Sequence, residues 1–421
     1  LASDNQQKQK AYSKMRVEFD LSLEVVILLV LGVFMLLFGL LLFRIHTGAL
    51  PYTPDSTYGL FLVIVSLQII TMGKTPFGDL RRSWMVVIIG ICTAILGAVA
   101  CFIPGLLATL IRMLVGIILF LGGIALLLQL FISEEKAKKW LKISGILQKL
   151  TIACGLVYIM SVILGLITIL PGITTDSQTA VLLIIYGMCF FYLSWCIQKV
   201  SRLYPPEDKG NPVHEKMTSD DPHSRYSFKL FREASMSLSI AILILVGVLL
   251  TLLGLLLFPV QLRIIPFSTD GQLGLLLVIT AIQMLALGET PLGQYKRSWL
   301  LVIIGVVFAA MGIVSCIVPG ILTGVIQMLV GLLNIVGGAV LIVNRFLPIL
   351  HDIRNPPAEP VTFAPIIIKL LTTQTMVNIV GITFGITTLV SSLVSGLVIA
   401  GILVINGLLI FVLAYFLHKI S

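Results

Sequence analysis

Residues 72–84, MGKTPFGDLRRSW, return at residues 287–299 as LGETPLGQYKRSW, with Thr, Pro, Gly, Arg, Ser and Trp in the same places. The offset that joins Gly73 to Gly288 joins much more than this motif. It relates Gly32 to Gly247, Gly39 to Gly254, Pro51 to Pro266, Asp55 to Asp270 and Gln68 to Gln283. It then runs through Gly97 and Gly312, Cys101 and Cys316, and Pro104 and Pro319, as far as Gly116 and Gly331. Beyond the fourth apolar segment the spacing widens slightly, pairing Lys149 with Lys369, Gly165 with Gly385, Gly187 with Gly407 and Lys199 with Lys419. Self-similarity at one long period over nearly the whole chain marks a tandem duplication.

The composition places both copies in a bilayer. Hydrophobic residues make up 58% of the chain, charged residues 11%, and the mean hydropathy is +1.09. A soluble domain carries about 25% charged residues, so this chain lacks the surface charge to dissolve itself. Each copy offers six apolar segments, at 21–43, 57–72, 84–103, 106–131, 143–170 and 179–198, then at 236–258, 272–287, 299–318, 321–346, 365–390 and 393–417. Most exceed the roughly 20 residues that a spanning helix needs. The second of each set is shorter, about 16 residues, which covers about 24 Å of a hydrocarbon core about 30 Å thick.

Charge decides whether these short segments span. If all twelve cross, then Arg81, Arg82, Lys136, Lys142, Lys296, Arg297, Arg345 and Arg354 share one side with the N-terminal lysines and Lys419. The other side keeps little beyond Arg44, Asp55, Asp176, Arg263 and Asp270. Positive charge collects on the cytoplasmic side, so both termini are expected there, in the cell's inner (cytoplasmic) membrane. The fold expected is an all-α polytopic membrane protein of about twelve transmembrane helices, arranged as two parallel-oriented six-helix repeats. Residues 1–20 form a polar cytoplasmic segment without a secretory-signal pattern. Residues 21–198 form the first repeat, 199–235 a polar linker, and 236–418 the second repeat. The end of the linker, with Arg225, Lys229 and Arg232 among aromatics, reads as an interfacial helix. The Pro-Gly turns at 104–105 and 171–172 suggest three hairpins per half, each closed on the outer side.

The repeated motif reads first as a membrane re-entry device. Thr75 and Thr290 precede proline and are expected to cap a short helical turn. Ser83 and Ser298 are placed to cap the next spanning helix, and Trp84 and Trp299 to anchor at the interface. With Arg82 and Arg297 facing lipid phosphates, these eight residues are also candidate headgroup or anion contacts, because helix N-termini with arginine nearby bind phosphate.

Few groups are placed to do chemistry. Gln68 and Gln283 recur within apolar segments and are candidates for lining a cavity; Asn334, Asn378 and Asn406 each occur once. Interhelical hydrogen bonding is the competing use of all five. Glu24 lies one turn inside the cytoplasmic boundary, and its copy is Ser239. No catalytic, cofactor or metal residues are expected. The five histidines fall in loops or at span ends, which does not suit haem, and the six cysteines have no metal-ligand spacing. The net charge of +9 follows from loop lysines and arginines, not from a nucleic-acid surface.

The stretch RSWLLVIIGVVFAAMGIVSCIVPGILTGVIQMLVGLLNIVGGAVLIV, residues 297–343, resembles the membrane-repeat unit of the HdeD-type acid-resistance family. That unit has a Trp at a helix start, spaced glycines, a Pro turn and a Gly-rich return helix. The resemblance covers the third, fourth, ninth and tenth segments best and implies a double-length relative with a role in stress resistance. It carries no catalytic or binding residues over. The first expectation is therefore a non-enzymatic membrane protein, structural or accessory, in contact with lipids and with other membrane subunits or copies of itself. The second is a transporter or channel for a small neutral molecule or lipid, with its path between the two repeats near Gln68 and Gln283.

Overall fold

A computed structural model describes residues 21–72, 74–75, 78–79, 83–133, 145–203, 238–287, 289–290, 293–294, 299–354, 365–390 and 394–420. The calls on the N-terminal segment, on most of the linker with its interfacial helix, and on Arg82, Arg297 and Ser298 lie outside these residues.

Within them the apolar segments become twelve helices. In the first half α1 is Leu23–His46, α2 Pro54–Met72, α3 Trp84–Phe102, α4 Ala108–Leu128, α5 Ile146–Ile169 and α6 Asp176–Leu203. In the second, α7 is Leu238–Gln261, α8 Thr269–Leu287, α9 Trp299–Ile317, α10 Thr323–Arg354, α11 Pro365–Leu389 and α12 Gly396–Ile420. A single π-turn, Gln129–Ser133, prolongs α4. Ten of these helices are long and apolar enough to cross a bilayer. The other two, α2 and α8, have 19 residues each, about 28 Å of helix. They run through the middle of the protein, and α2 buries Leu60, Leu62, Ile64 and Ile70 almost completely. The chain folds as an all-α, multi-pass membrane protein. The face from which α1 and α7 start and at which α6 and α12 end is called the terminus face below; the opposite one is the turn face.

Helix pairing differs from the expected hairpins. The Pro-Gly turn between α3 and α4 joins helices that scarcely touch, while α5 and α6 pack side by side. The most extensive pairs of the first half are α2 with α3, α4 with α5, and α1 with α6; their equivalents recur in the second half. Glycine is the physical reason. A Cβ on Gly59 would lie 2.5 Å from the Gly97 carbonyl oxygen, and one on Gly97 would lie 2.6 Å from the Gly59 oxygen. Gly116 and Gly165 make the same mutual approach between α4 and α5, as do Gly32 and Gly187 between α1 and α6. The second half repeats all three crossings with Gly274 and Gly312, Gly331 and Gly385, and Gly247 and Gly407. Small residues let membrane helices pack backbone to backbone. Each half is thus three glycine-crossed pairs, and the pair α1–α6 joins the first helix of the half to its last.

The halves meet through α1, α2 and α3 on one side and α7, α8 and α9 on the other. Two reciprocal hydrogen bonds fix this docking. The Thr53 amide donates to the Ile317 carbonyl at 3.1 Å, and its repeat equivalent, the Ser268 amide, donates to the Phe102 carbonyl at 2.8 Å. Reciprocity of this kind is the mark of a two-fold axis, here relating two halves that run in the same direction.

Outward-facing positions of the peripheral helices are apolar, among them Leu121, Ile152, Ile159, Ile185, Val325 and Met376. Aromatic side chains mark one edge of this apolar band. Trp84 and Trp299 begin α3 and α9 and are 42% and 55% exposed. Trp195 on α6, with the Lys199 ammonium 5.0 Å from its ring centroid, stands at about the same height as Trp84, about 28 Å from the turn-face end of its helix. Tyr415 is exposed at the equivalent position of α12.

Candidate functional site

The repeated motif departs from its sequence reading in one respect. Lys74–Thr75 pairs with Gly78–Asp79 in a two-residue antiparallel ladder, and Glu289–Thr290 pairs with Gly293–Gln294 in the same way. Thr75 and Thr290 therefore lie on β-strands and do not cap a helical turn. Thr-Pro-x-Gly is equally a turn sequence, with proline presetting the second residue and glycine favoured at the fourth. The cap expected at Ser83 is present: its hydroxyl accepts from the Val86 amide at 3.4 Å. A headgroup site on a helix N-terminus at Thr75 loses its helix, while the α3 terminus at Ser83 and Trp84 keeps its own.

The polar groups inside the protein gather elsewhere. A cavity of about 340 Å³ opens among α1, α2, α4, α5 and α6 of the first half. Each helix contributes one stripe at helical spacing: Glu24, Leu28 and Leu31 from α1, and Phe61, Val65 and Gln68 from α2. From α5 come Thr151, Cys154, Tyr158 and Ser161, at intervals of three and four residues along one face. The polar end of the cavity, with Glu24, Gln129 and Thr151, lies toward the terminus face. Its inner end is bounded by Leu31, Ser161 and Tyr186.

A second cavity of about 300 Å³ occupies the corresponding place in the second half. Val246, Leu276, Thr280, Gln283, Leu333, Asn334 and Asn406 line it. They are the repeat equivalents of Leu31, Phe61, Val65, Gln68, Ile118, Leu119 and Tyr186, all of which line the first. Gln68 and Gln283, the two candidates from sequence, thus each face a cavity, and neither hydrogen-bonds to a described residue. The place expected for a path, between the halves, holds about 10 Å³ among side chains of α2, α7 and α8 that are apolar except for Gln283, which borders this space as well as the second-half cavity. Both voids belong to the interiors of the halves.

The two linings differ chemically. In the first half the Tyr186 hydroxyl lies beside Ser161, and the Ser161 hydroxyl donates to the Leu119 carbonyl at 2.9 Å. The inner end therefore carries two hydroxyl groups. In the second half Gly381 stands where Ser161 was, and Asn406 replaces Tyr186. Asn334 donates from Nδ2 to the Val330 carbonyl at 2.8 Å. Asn406 is only 8% exposed, and its Oδ1 has no hydrogen-bond partner.

The sequence named Gln68 and Gln283 but passed over Tyr158, Ser161 and Tyr186. The signal for Tyr158 and Ser161 was available in the polar stripe along α5, a run of hydroxyl and thiol groups on one face of an otherwise apolar helix. Asn378, which follows that stripe in the second half, also keeps a buried Nδ2 without a partner. Among the described residues no three His, Cys, Asp or Glu side chains gather as metal ligands would.

Compared with known proteins, the chain matches no protein-family model, no curated protein and no solved structure. The resemblance of residues 297–343 to the HdeD-type unit therefore stands on those residues alone.

Proposed function

We propose that this protein is a non-enzymatic membrane protein that binds small neutral or lipid-like molecules, one in each half. The observation that carries this reading is the doubled cavity, walled at seven repeat-equivalent positions and containing each time a glutamine that bonds to no described residue. Ligand sites are typically apolar concavities of about 300 Å³ or more with a few placed polar groups. An apolar cavity of about 150 Å³ already admits benzene, so each of these admits a molecule of about a dozen non-hydrogen atoms. Polar groups inside a membrane protein are costly and are kept for use. The terminus face is the cytoplasmic one in this reading, supported by the lysines and arginines of the loops on that side. Ligands would then enter from the cytoplasmic side or from the lipid, and a transport or sensing role follows from binding.

An accessory role within a larger membrane assembly, or in stress resistance as the HdeD-type likeness implies, has one observation in its favour. Almost none of the apolar stretch of α11 is buried within the protein, leaving a broad face for lipid or for a neighbouring subunit.

Photolabelling of the detergent-purified protein with a diazirine-bearing octanol tests the binding reading. Peptide mapping should place adducts in both halves, on α5 or α6 and on α8, α10 or α12, and excess octan-1-ol should suppress them. Replacing Gln68 and Gln283 together by leucine should weaken that suppression. Absence of saturable adducts in both halves would overturn the proposal.

A further inference from the structure

Resting on that reading, we infer that the second-half cavity is selective for an uncharged molecule bearing a hydroxyl group, which it holds through the carboxamides of Asn406, Asn334 and Gln283. Thr280 also lines it, but its hydroxyl donates to the Leu276 carbonyl at 2.9 Å; the rest of the wall is hydrocarbon, supplied by Val246, Leu276, Leu333 and Phe384 among others. Among the described residues no ionisable side chain lines it, so a charged ligand would enter without a counter-charge, which is prohibitive in an apolar site.

The three carboxamides are differently committed. Asn334 spends its amide nitrogen on the Val330 carbonyl, which leaves its oxygen as an acceptor. Gln283 bonds to no described residue. Asn406 is more than nine-tenths buried, and its Oδ1 finds nothing. A buried polar atom without a partner costs the full desolvation of that group, and such atoms are few in folded proteins. A ligand that supplies the missing bond removes the cost. The terminal torsion of asparagine is broad and roughly two-fold, so Asn406 can turn either its oxygen or its nitrogen into the cavity. A hydroxyl both donates and accepts, and so it answers either orientation. A bare hydrocarbon answers neither.

The first-half cavity differs at this position. Tyr186 stands in place of Asn406 and Ser161 in place of Gly381, so that end of the cavity carries hydroxyl groups and no carboxamide. Among the described residues, none of its lining holds a buried polar side-chain atom without a partner. The preference that the orphaned Asn406 oxygen creates is therefore a property of the second cavity.

Competition at each cavity separates the possibilities. The diazirine octanol is cross-linked to the intact protein while octan-1-ol or octane, equal in chain length, competes. At the second cavity octan-1-ol should compete at least tenfold better than octane, and Asn406→Leu should abolish that preference while leaving first-half labelling unchanged. Asn406→Ser, which restores a small hydrogen-bonding group, should recover part of it. Asn406→Leu should also raise the unfolding temperature of the ligand-free protein, an outcome opposite to that for an asparagine whose role is structural. Equal competition by octane, or a hydroxyl preference that survives Asn406→Leu, overturns the inference while leaving two binding cavities in place. No saturable labelling in either half removes the inference together with the binding reading on which it rests.

Discussion

The two halves agree where backbone meets backbone and disagree where side chains meet space. All six helices of the first half recur in the second, and the three glycine crossings recur with them, each glycine at its repeat-equivalent position. The cavity wall has drifted in the same interval. Leu119 faces Asn334 across the repeat, Val65 faces Thr280, Ser161 faces Gly381 and Tyr186 faces Asn406. A crossing within van der Waals contact admits no Cβ, whereas a wall that borders empty space tolerates exchange. Scaffold and lining therefore answer to separate physical demands, and three experiments press on that distinction.

The largest effect is expected at the crossings. A side chain at Gly165 would meet the Phe120 backbone nitrogen and Cα within 2.7 Å, and one at Gly385 would lie 2.7 Å from the Gly331 carbonyl oxygen. Backbone cannot step aside as a flexible side chain does. Gly165→Leu and Gly385→Leu should each cost about 3 kcal/mol or more, at the upper end of overpacking, read as a lower unfolding temperature in detergent. Tolerance in one half alone would end the idea of a shared scaffold.

The inner end of the cavities should give smaller effects of opposite sign. Tyr186→Phe removes a hydroxyl beside Ser161 and should cost up to about 1 kcal/mol. Asn406→Leu removes a carboxamide whose oxygen has no partner and should stabilise by about 1–2 kcal/mol. Thermal unfolding of the two variants side by side settles the signs; two losses of equal size would mean that both positions are merely structural.

The smallest effect belongs to the turn between the first two helices of each half. Gly48 has φ of 73°, and its equivalent, Arg263, has φ of 59° with a full side chain. A residue other than glycine pays about 1 kcal/mol for this conformation. Gly48→Ala should destabilise and Arg263→Gly should stabilise, each by up to about 1 kcal/mol, measured by the same unfolding assay.

Much of the architecture could be read from residues alone. Apolar length located all twelve helices, and the duplication gave the equivalences on which every comparison between halves depends. Ser83 capped α3 as its position before Trp84 suggested. Helix pairing could not be read in the same way. A glycine reports that one face of a helix is bare, but Gly97 does not say that Gly59, rather than a glycine on α4, will lie against it. Proline followed by one residue and glycine suits a helical start or a β-turn, and nothing in the motif itself chooses between them. The cavities were half legible. Gln68 announced itself by recurring, whereas Tyr186 and Asn406 differ between copies and sit on a helix far along the chain from Gln68. Only folding brings those positions to one void.

The pairing of α1 with α6 also imposes an order of assembly. Helix α2 meets its partner as soon as α3 is made, and α4 meets α5 likewise. Roughly 150 residues of chain must follow Gly32 before Gly187 exists, a delay on the order of ten to thirty seconds at common rates of synthesis. During that time α1 is in the bilayer without its closest neighbour. The helix of this half that is made first is thus the one that waits longest for its main partner, and the half is completed only when α6 arrives.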